Sequence, residues 1–276
     1  MSEWELVKQY WDKSWHYQYH SLIRKKELHR KNGKKIKHLD LIGNKQHIVT
    51  ERNQQKLHYQ LLFRMLIDDH GNYYHEEMME ERVAIVERDQ VVDDQEKKII
   101  DHSHRPTIIT DETRSRFDYD RRAAVQYAER WWNDANPAYH FFADNDCTNY
   151  ISQCMRAGGA PMTGAPNRSK GWWYQGDNWS YSWSVANSFR WNLSGATSGL
   201  KGTEVSDPRD LLPGDVICYD FEGDGRWDHN TIVVAKDSQN MPLVNAHTNN
   251  SRHRYWTYED SAAWTPECAY RFFRIG

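Results

Sequence analysis

The sequence has no run approaching the roughly 20 consecutive apolar residues that a membrane-crossing helix needs, so no helical membrane span is expected. Cysteine is scarce. The four present, Cys147, Cys154, Cys218 and Cys268, include no CxxC pair, which excludes a zinc ribbon and a dense disulfide framework. They read as reduced, mostly buried thiols. Charge of one sign is lacking too. A formal net charge of −3 gives no basis for binding nucleic acid or an anionic membrane. The start, from Met1 to Glu5, has neither the basic nor the apolar segment of a secretory signal. The expectation is a cytoplasmic protein, with export by another route left open. No closely spaced ligand pair marks a metal site, and no cofactor is expected.

What the chain does have is aromatic surface. Its 13 tryptophans and 16 tyrosines supply core-forming area to a chain in which 27% of residues are charged. Residues 1–115 hold no cysteine, no proline before Pro106 and many alternating charges. Trp4, Val7, Trp11 and Trp15 keep helical spacing across residues 4–20. Residues 25–37 form a basic stretch around an Asn32-Gly33 turn, read as a solvated face. Residues 47–50 and 57–67 read as strands, the second also open to a helix, and residues 73–92 are ambiguous, with Val83, Ile85 and Val91 suggesting strand. This half reads as a small α+β domain, open to docking an unknown partner. His102 and His104 flank a linker and read as solvated.

Residues 116–276 differ in texture. Helices precede an antiparallel meander, the pattern of an α+β domain. Ala124, Tyr127, Ala128, Trp131 and Trp132 make one face of a helix over residues 121–133. A second helix starts at Cys147, with Tyr150, Ile151, Cys154 and Met155 at helical spacing and Gly158, Gly159 and Pro161 as its stop. Strands are expected over residues 216–219, 229–234, 241–248 and 270–275. A covering helix is expected to carry Trp183, Val185, Phe189 and Trp191, capped by Ser182.

Cys147 is the candidate nucleophile. It follows the polar loop Asp144-Asn145-Asp146, and a helix N-terminus aimed at a thiol favours the thiolate. Activation also calls for an imidazole. His229 opens a β-branched strand in which His229, Thr231 and Val233 alternate with Asn230, Ile232 and Val234. Asn245 and His247 share a face of the next strand, and either is a candidate to orient the ring. The competing reading makes Cys147 a small apolar helix residue and His229 a satisfied strand-end histidine.

Motifs in order along the chain carry a resemblance. Residues 119–139, 146–153 and 157–162, then Ser182-Trp183-Ser184-Val185, Leu212-Pro213-Gly214-Asp215-Val216, Trp227-Asp228-His229-Asn230 and Ala246-His247-Thr248, are similar to the putative amidase domain family of Gram-positive bacteria. That family resembles the papain-like NlpC-type and CHAP-type cysteine hydrolases. The resemblance runs from about residue 117 to the C-terminus and leaves out residues 1–115. It implies a helix carrying the nucleophile packed on an antiparallel sheet carrying the histidine. By motif it implies Cys147 as nucleophile, His229 as general base and His247 as third polar residue, with Asn245 the second choice. The backbone N–H of Cys147, helped by Asp146 or Asn145, would form the oxyanion hole.

Trp172, Trp173 and Trp179 are candidates for the wall of a substrate groove. The acidic stretch over residues 220–228 lacks the terminal glutamate of a calcium loop and reads as a turn. The expected function is a cysteine amidase or peptidase acting on an amide, with peptidoglycan stem peptides or muropeptides as candidate substrates. The alternative is a catalytically silent module whose aromatic groove binds cell-wall fragments or a protein.

Overall fold

The computed structural model describes residues 2–14, 20–51, 54–97, 117–143 and 145–276. Trp15, Asp144 and the linker with His102 and His104 lie outside the described residues. The chain divides into two compact units, Met1–Lys98 with Glu259–Ala262, and Ile99–Tyr258 with Ala263–Gly276. No described helix is long and apolar enough to cross a membrane.

In the first unit, helices α1 (Glu3–Ser14) and α2 (His20–Lys31) precede four strands: β1 (Lys35–Glu51), β2 (Gln54–Asp69), β3 (Asn72–Glu87) and β4 (Gln90–Glu96). Each pairs antiparallel with the next. The strands outrun the expected ones because alternation persists through polar residues. Leu57, Tyr59, Leu61, Phe63, Met65 and Ile67 of β2 are all buried, and the residues between them only partly. Val7, Trp11 and Leu22 of the helices pack on that face.

The basic stretch is not simply solvated. Lys25 shares the inward face of α2 with Leu22 and His29, at helical spacing, and is 1% exposed. Its Nζ pairs with Glu76 and lies 2.6 Å from Asp260 Oδ2. His29 Nε2 is 2.9 Å from the other Glu76 oxygen. Burial alone would raise the Glu76 carboxyl, but Lys25 and His29 outweigh it and hold Glu76 at about 2.

The second unit begins with α3 (Arg121–Trp131) and α4 (Cys147–Ala157). The Asp120 carboxylate caps α3 by accepting from the Ala123 N–H at 2.9 Å. Gly159, at φ +87°, takes the left-handed turn that carries the chain out of α4. A short hairpin, β5 (Tyr174–Gln175) and β6 (Asn178–Trp179), leads into α5 (Tyr181–Ser184) and α6 (Ala186–Gly195). The expected single covering helix is therefore two. Val185 is extended between them (φ −117°, ψ 123°), and Ser182 lies inside α5 while Ser180 precedes it.

The sheet follows: β7 (Gly202–Val205), β8 (Val216–Asp220), β9 (His229–Lys236), β10 (Pro242–Ala246), β11 (Ser251–Tyr255) and β12 (Ala269–Ile275). Its order within the unit is β11-β10-β9-β8-β12-β7, all antiparallel. One face, with Val216, Cys218, Ile232 and Val234, packs on Tyr150, Ile151, Cys154 and Met155 of α4. The opposite face gathers Ile217, Tyr219, Val233, Val244, Tyr258 and Phe272. The protein is thus α+β, with helices laid on one side of an antiparallel sheet.

Replacing Lys25 with methionine leaves Glu76 and Asp260 buried without their cation, and should destabilise the first unit by ~3–5 kcal/mol. Urea titration followed by tryptophan fluorescence measures this, and an unchanged midpoint would contradict it. The Glu76 carboxyl is lowered by folding from 4.5 to about 2, so its stabilising share is complete above pH 4.5 and fades as pH falls towards 2.

Candidate active site

The start of α4 is built around Asp146. Its carboxylate does not cap the helix in the usual way. Oδ1 accepts from the Phe142 N–H at 3.0 Å and from Asn149 Nδ2 at 2.8 Å. Oδ2 lies 2.7 Å from His247 Nδ1. The other His247 nitrogen is 2.7 Å from the Trp131 carbonyl oxygen, and the ring stacks on Tyr150 at 4.0 Å. Both ring nitrogens are thus held, one by a carboxylate and one by a carbonyl. His247 and Asp146 therefore tie β10's end, α3's end and α4's first turn into one point.

Cys147 is the first residue of α4 and is fully buried. Its thiol donates to Asn145 Oδ1 at 3.2 Å and lies 3.7 Å from Thr148 Oγ1. The backbone N–H groups of Asn230 and Thr148 favour its ionised form. Burial pushes the thiol up to about 11, the Asp146 carboxylate adds to the rise, and the hydroxyl and backbone donors oppose it. The field of a helix N-terminus alone leads to the opposite expectation. Here desolvation wins, and the sulfur rests protonated.

His229, the first residue of β9, is buried on the sheet face away from α4. Its Nε2 lies 3.2 Å from the Tyr258 hydroxyl, and its ring packs against Tyr219, Phe221 and Tyr258. Burial brings the imidazole down to about 3, with Arg254 adding to the fall, so the ring is neutral at pH 7. Tyr258 holds a left-handed backbone, φ +58°, uncommon for a residue with a bulky side chain. Strain of this kind persists where surroundings over-determine it, and here the tyrosine is fixed by its contacts to His229 and Tyr219.

No hydrogen bond joins Cys147 to His229. They flank β9, with His229 and Thr231 on one face and Asn230 and Ile232 towards α4. Asn245 and His247 do not flank His229 as expected. Asn245 pairs with Ile232 across the ladder, which puts it on the helix side. Its Nδ2 donates to Glu129 Oε1 at 3.0 Å, and its Oδ1 accepts from the His253 N–H at 2.9 Å. The one donor on Asp146, its backbone N–H, bonds Thr248 Oγ1 at 3.1 Å, and Asn145 stands beside the sulfur as an acceptor.

Two of the three groove candidates are core residues. Trp172 is fully buried, donates to Ser152 Oγ at 2.9 Å and stacks on Trp183. Trp173 donates to the carbonyls of Asn167 and Lys170. Trp179 is partly exposed, stacked on His140 at 5.1 Å and edge-on to Phe142. Asp220, Glu222 and Asp228 are close enough to share a cation, their nearest oxygens lying within 4.8 Å. Asp220 already accepts from the backbone of Gly223, Asp224 and Gly225, which fits a hydrogen-bonded acidic turn. The four cysteines are free thiols, and all but Cys268 are buried.

Residues 118–272 match the family described as Putative amidase domain, and the chain belongs to that family. It is 51% identical over 229 residues to the uncharacterized protein YhbB of Bacillus subtilis, covering 79% of this chain and 72% of that one. It is 34% identical over 141 residues to the uncharacterized protein YjcM of the same organism, covering 48% of this chain and 31% of that one. No solved structure matches.

Substituting Asp146 with alanine removes three acceptor bonds and strands the His247 ring, and should cost ~3 kcal/mol of stability. Chemical denaturation of the full chain measures it. A loss below about 0.5 kcal/mol, the range of ordinary surface substitutions, would show that the knot is dispensable.

Proposed function

We propose that the second unit is a cysteine-dependent amidase of papain-like arrangement that cleaves its amide through a thioester on Cys147. The observation that carries this reading is the sulfur's setting: a thiol on the first residue of α4, excluded from water, with a hydroxyl and two backbone N–H groups around it. Such donors stabilise a thiolate once it forms, and cost no reorganisation at that moment. Family membership supports hydrolysis of an amide as the reaction class.

His229 serves as the base. Its neutral ring is able to take a proton and the Tyr258 hydroxyl engages Nε2, but the ring rests on the face of β9 away from the sulfur, so it must swing towards Cys147 as substrate binds before Nδ1 meets the thiol. Catalytic hydrogen bonds in ligand-free enzymes are often long and tighten with substrate. The thiol proton passes to His229 as sulfur attacks the carbonyl carbon. The C–N bond breaks as the imidazolium returns that proton to the leaving amine. Water then adds to the thioester, its proton taken by His229, and the thiol re-forms as acid leaves. The Cys147 N–H at the helix start stabilises the oxyanion. Tyr258 takes the orienting role first sought in His247 or Asn245, while His247 positions α4 through Asp146.

Peptidoglycan stem peptides or muropeptides are the substrates to try first, on the strength of the resemblance to cell-wall hydrolases. The partly exposed ring of Trp179, next to the loop that enters α4, is the remaining aromatic contact for them. The first unit serves to dock a partner.

On any amide the protein turns over, Cys147→Ala should lose at least ~10³-fold in kcat, as removal of a nucleophile does. His229→Ala should fall comparably, and Tyr258→Phe roughly tenfold, the worth of one hydrogen bond to the base. Full activity in Cys147→Ala, with the protein folded by circular dichroism, would overturn the cysteine mechanism. Binding of the same fragments without turnover by the wild type would favour a silent binding module.

A further inference from the structure

One buried acceptor beside Cys147 has no donor within the described chain. Asn230 lies on β9 and is fully buried. Its Nδ2 donates to Thr148 Oγ1 at 2.9 Å, and that hydroxyl lies 3.7 Å from the Cys147 sulfur. Its Oδ1 is closed to solvent and accepts no hydrogen bond. Leaving such a group unpaired costs ~1–3 kcal/mol, so a structure that keeps one invites an explanation. The other unpaired buried side-chain atoms, such as Ser188 Oγ, Arg190 Nε and Trp256 Nε1, sit on residues with no bond to Cys147 or Thr148.

Position gives the explanation. The Asn230 amide bonds Thr148 Oγ1 at 2.9 Å and that hydroxyl lies 3.7 Å from the sulfur, which places Oδ1 within about 9 Å of it. A carbonyl carbon poised for attack sits roughly 3–3.5 Å from the sulfur, and its amide nitrogen is one bond further. A secondary amide therefore brings an N–H into the neighbourhood of an acceptor that lacks one.

We infer that Asn230 is a substrate-binding residue whose Oδ1 accepts the N–H of the scissile amide, so that the site takes primary and secondary amides and discriminates against tertiary ones. The inference rests on Cys147 being the nucleophile. A tertiary amide, including a peptide bond to proline nitrogen, leaves Oδ1 unpaired in the complex and forfeits the gain. Sites built to satisfy a polar group reject analogues that lack the partner more strongly than apolar pockets reject a missing methylene.

The test uses alkylation rather than turnover, so no substrate need be known. The full chain is treated at pH 9 with chloroacetamide or with N,N-dimethylchloroacetamide. The rate at Cys147 is read by peptide mass spectrometry against glutathione in the same tube. The wild type should favour the N–H reagent by roughly three- to tenfold beyond the glutathione ratio, the worth of one neutral hydrogen bond. Asn230→Leu should lose that preference. Asn230→Asp, which keeps acceptor oxygens but has no amide donor, should retain it even if both rates fall. The ratio cancels any general loosening of the fold.

The same ratio in all three proteins would overturn the assignment, as would a Cys147 that neither reagent reaches. Loss of preference in Asn230→Asp as in Asn230→Leu would also overturn it, because the bond to Thr148 would then be what matters. An absent Asn230 effect alongside a Cys147-dependent amidase sinks this inference alone. Full activity in Cys147→Ala sinks the reading beneath it.

Discussion

The second unit depends on one packing constraint: the first turn of α4 is pressed against the start of β9, closing both to solvent. Cys147, Thr148 and Asn149 are essentially unexposed, as are Asn230 and Thr231. Polar groups sealed in this way must satisfy one another. That demand explains the bonds from Thr148 to Asn230, from Asn149 to Asp146 and to the indole of Trp183, and from Asp146 to His247. The same seal sets the chemistry. It raises the Cys147 thiol and lowers the His229 imidazole, so the neutral forms of both are favoured.

A neutral resting pair differs from the ion pair expected of a thiol at a helix N-terminus. The helix field and the backbone donors are present, but a thiolate removed from water loses more than they return. On the proposed reading, activation is a property of the substrate complex, in which a carbonyl arrives and proton transfer becomes coupled to bond formation. A buried, protonated thiol of this kind is a poor target for adventitious electrophiles, since the thiolate is the reactive form. On the proposed reading the strand between the two groups has a role, because β9 carries His229 on one face and turns Asn230 towards Cys147 on the other.

Much of this was legible in the chain. The amphipathic spacing of Tyr150, Ile151, Cys154 and Met155 gave α4, and the alternation beginning at His229 gave the two faces of β9. What spacing could not supply was register. Asn245 and His247 share a face as expected, but pairing of Asn245 with Ile232 puts them on the helix side, away from the His229 ring. Tyr258 carried no signal at all, since it lies past the end of β11 in a loop whose course depends on the finished sheet. Trp172 and Trp173 misled for a related reason: aromatic side chains with a polar tip suit a groove and a core equally, and hydrogen bonds from both indoles decide for the core. In the first unit, Lys25 looked solvated because its partner Asp260 is 235 positions away in sequence.

The central claim is that Cys147 rests as a sealed, protonated thiol. The most direct test is its alkylation rate by iodoacetamide as a function of pH in the substrate-free protein, resolved at each of the four cysteines by peptide mass spectrometry. The account predicts that Cys147 reacts slowly through neutral pH and that its rate climbs only towards the value of about 11 at which the buried thiol ionises. A rate at Cys147 that is already maximal well below pH 8, and that collapses in His229→Ala, would show a thiolate–imidazolium pair at rest and contradict it.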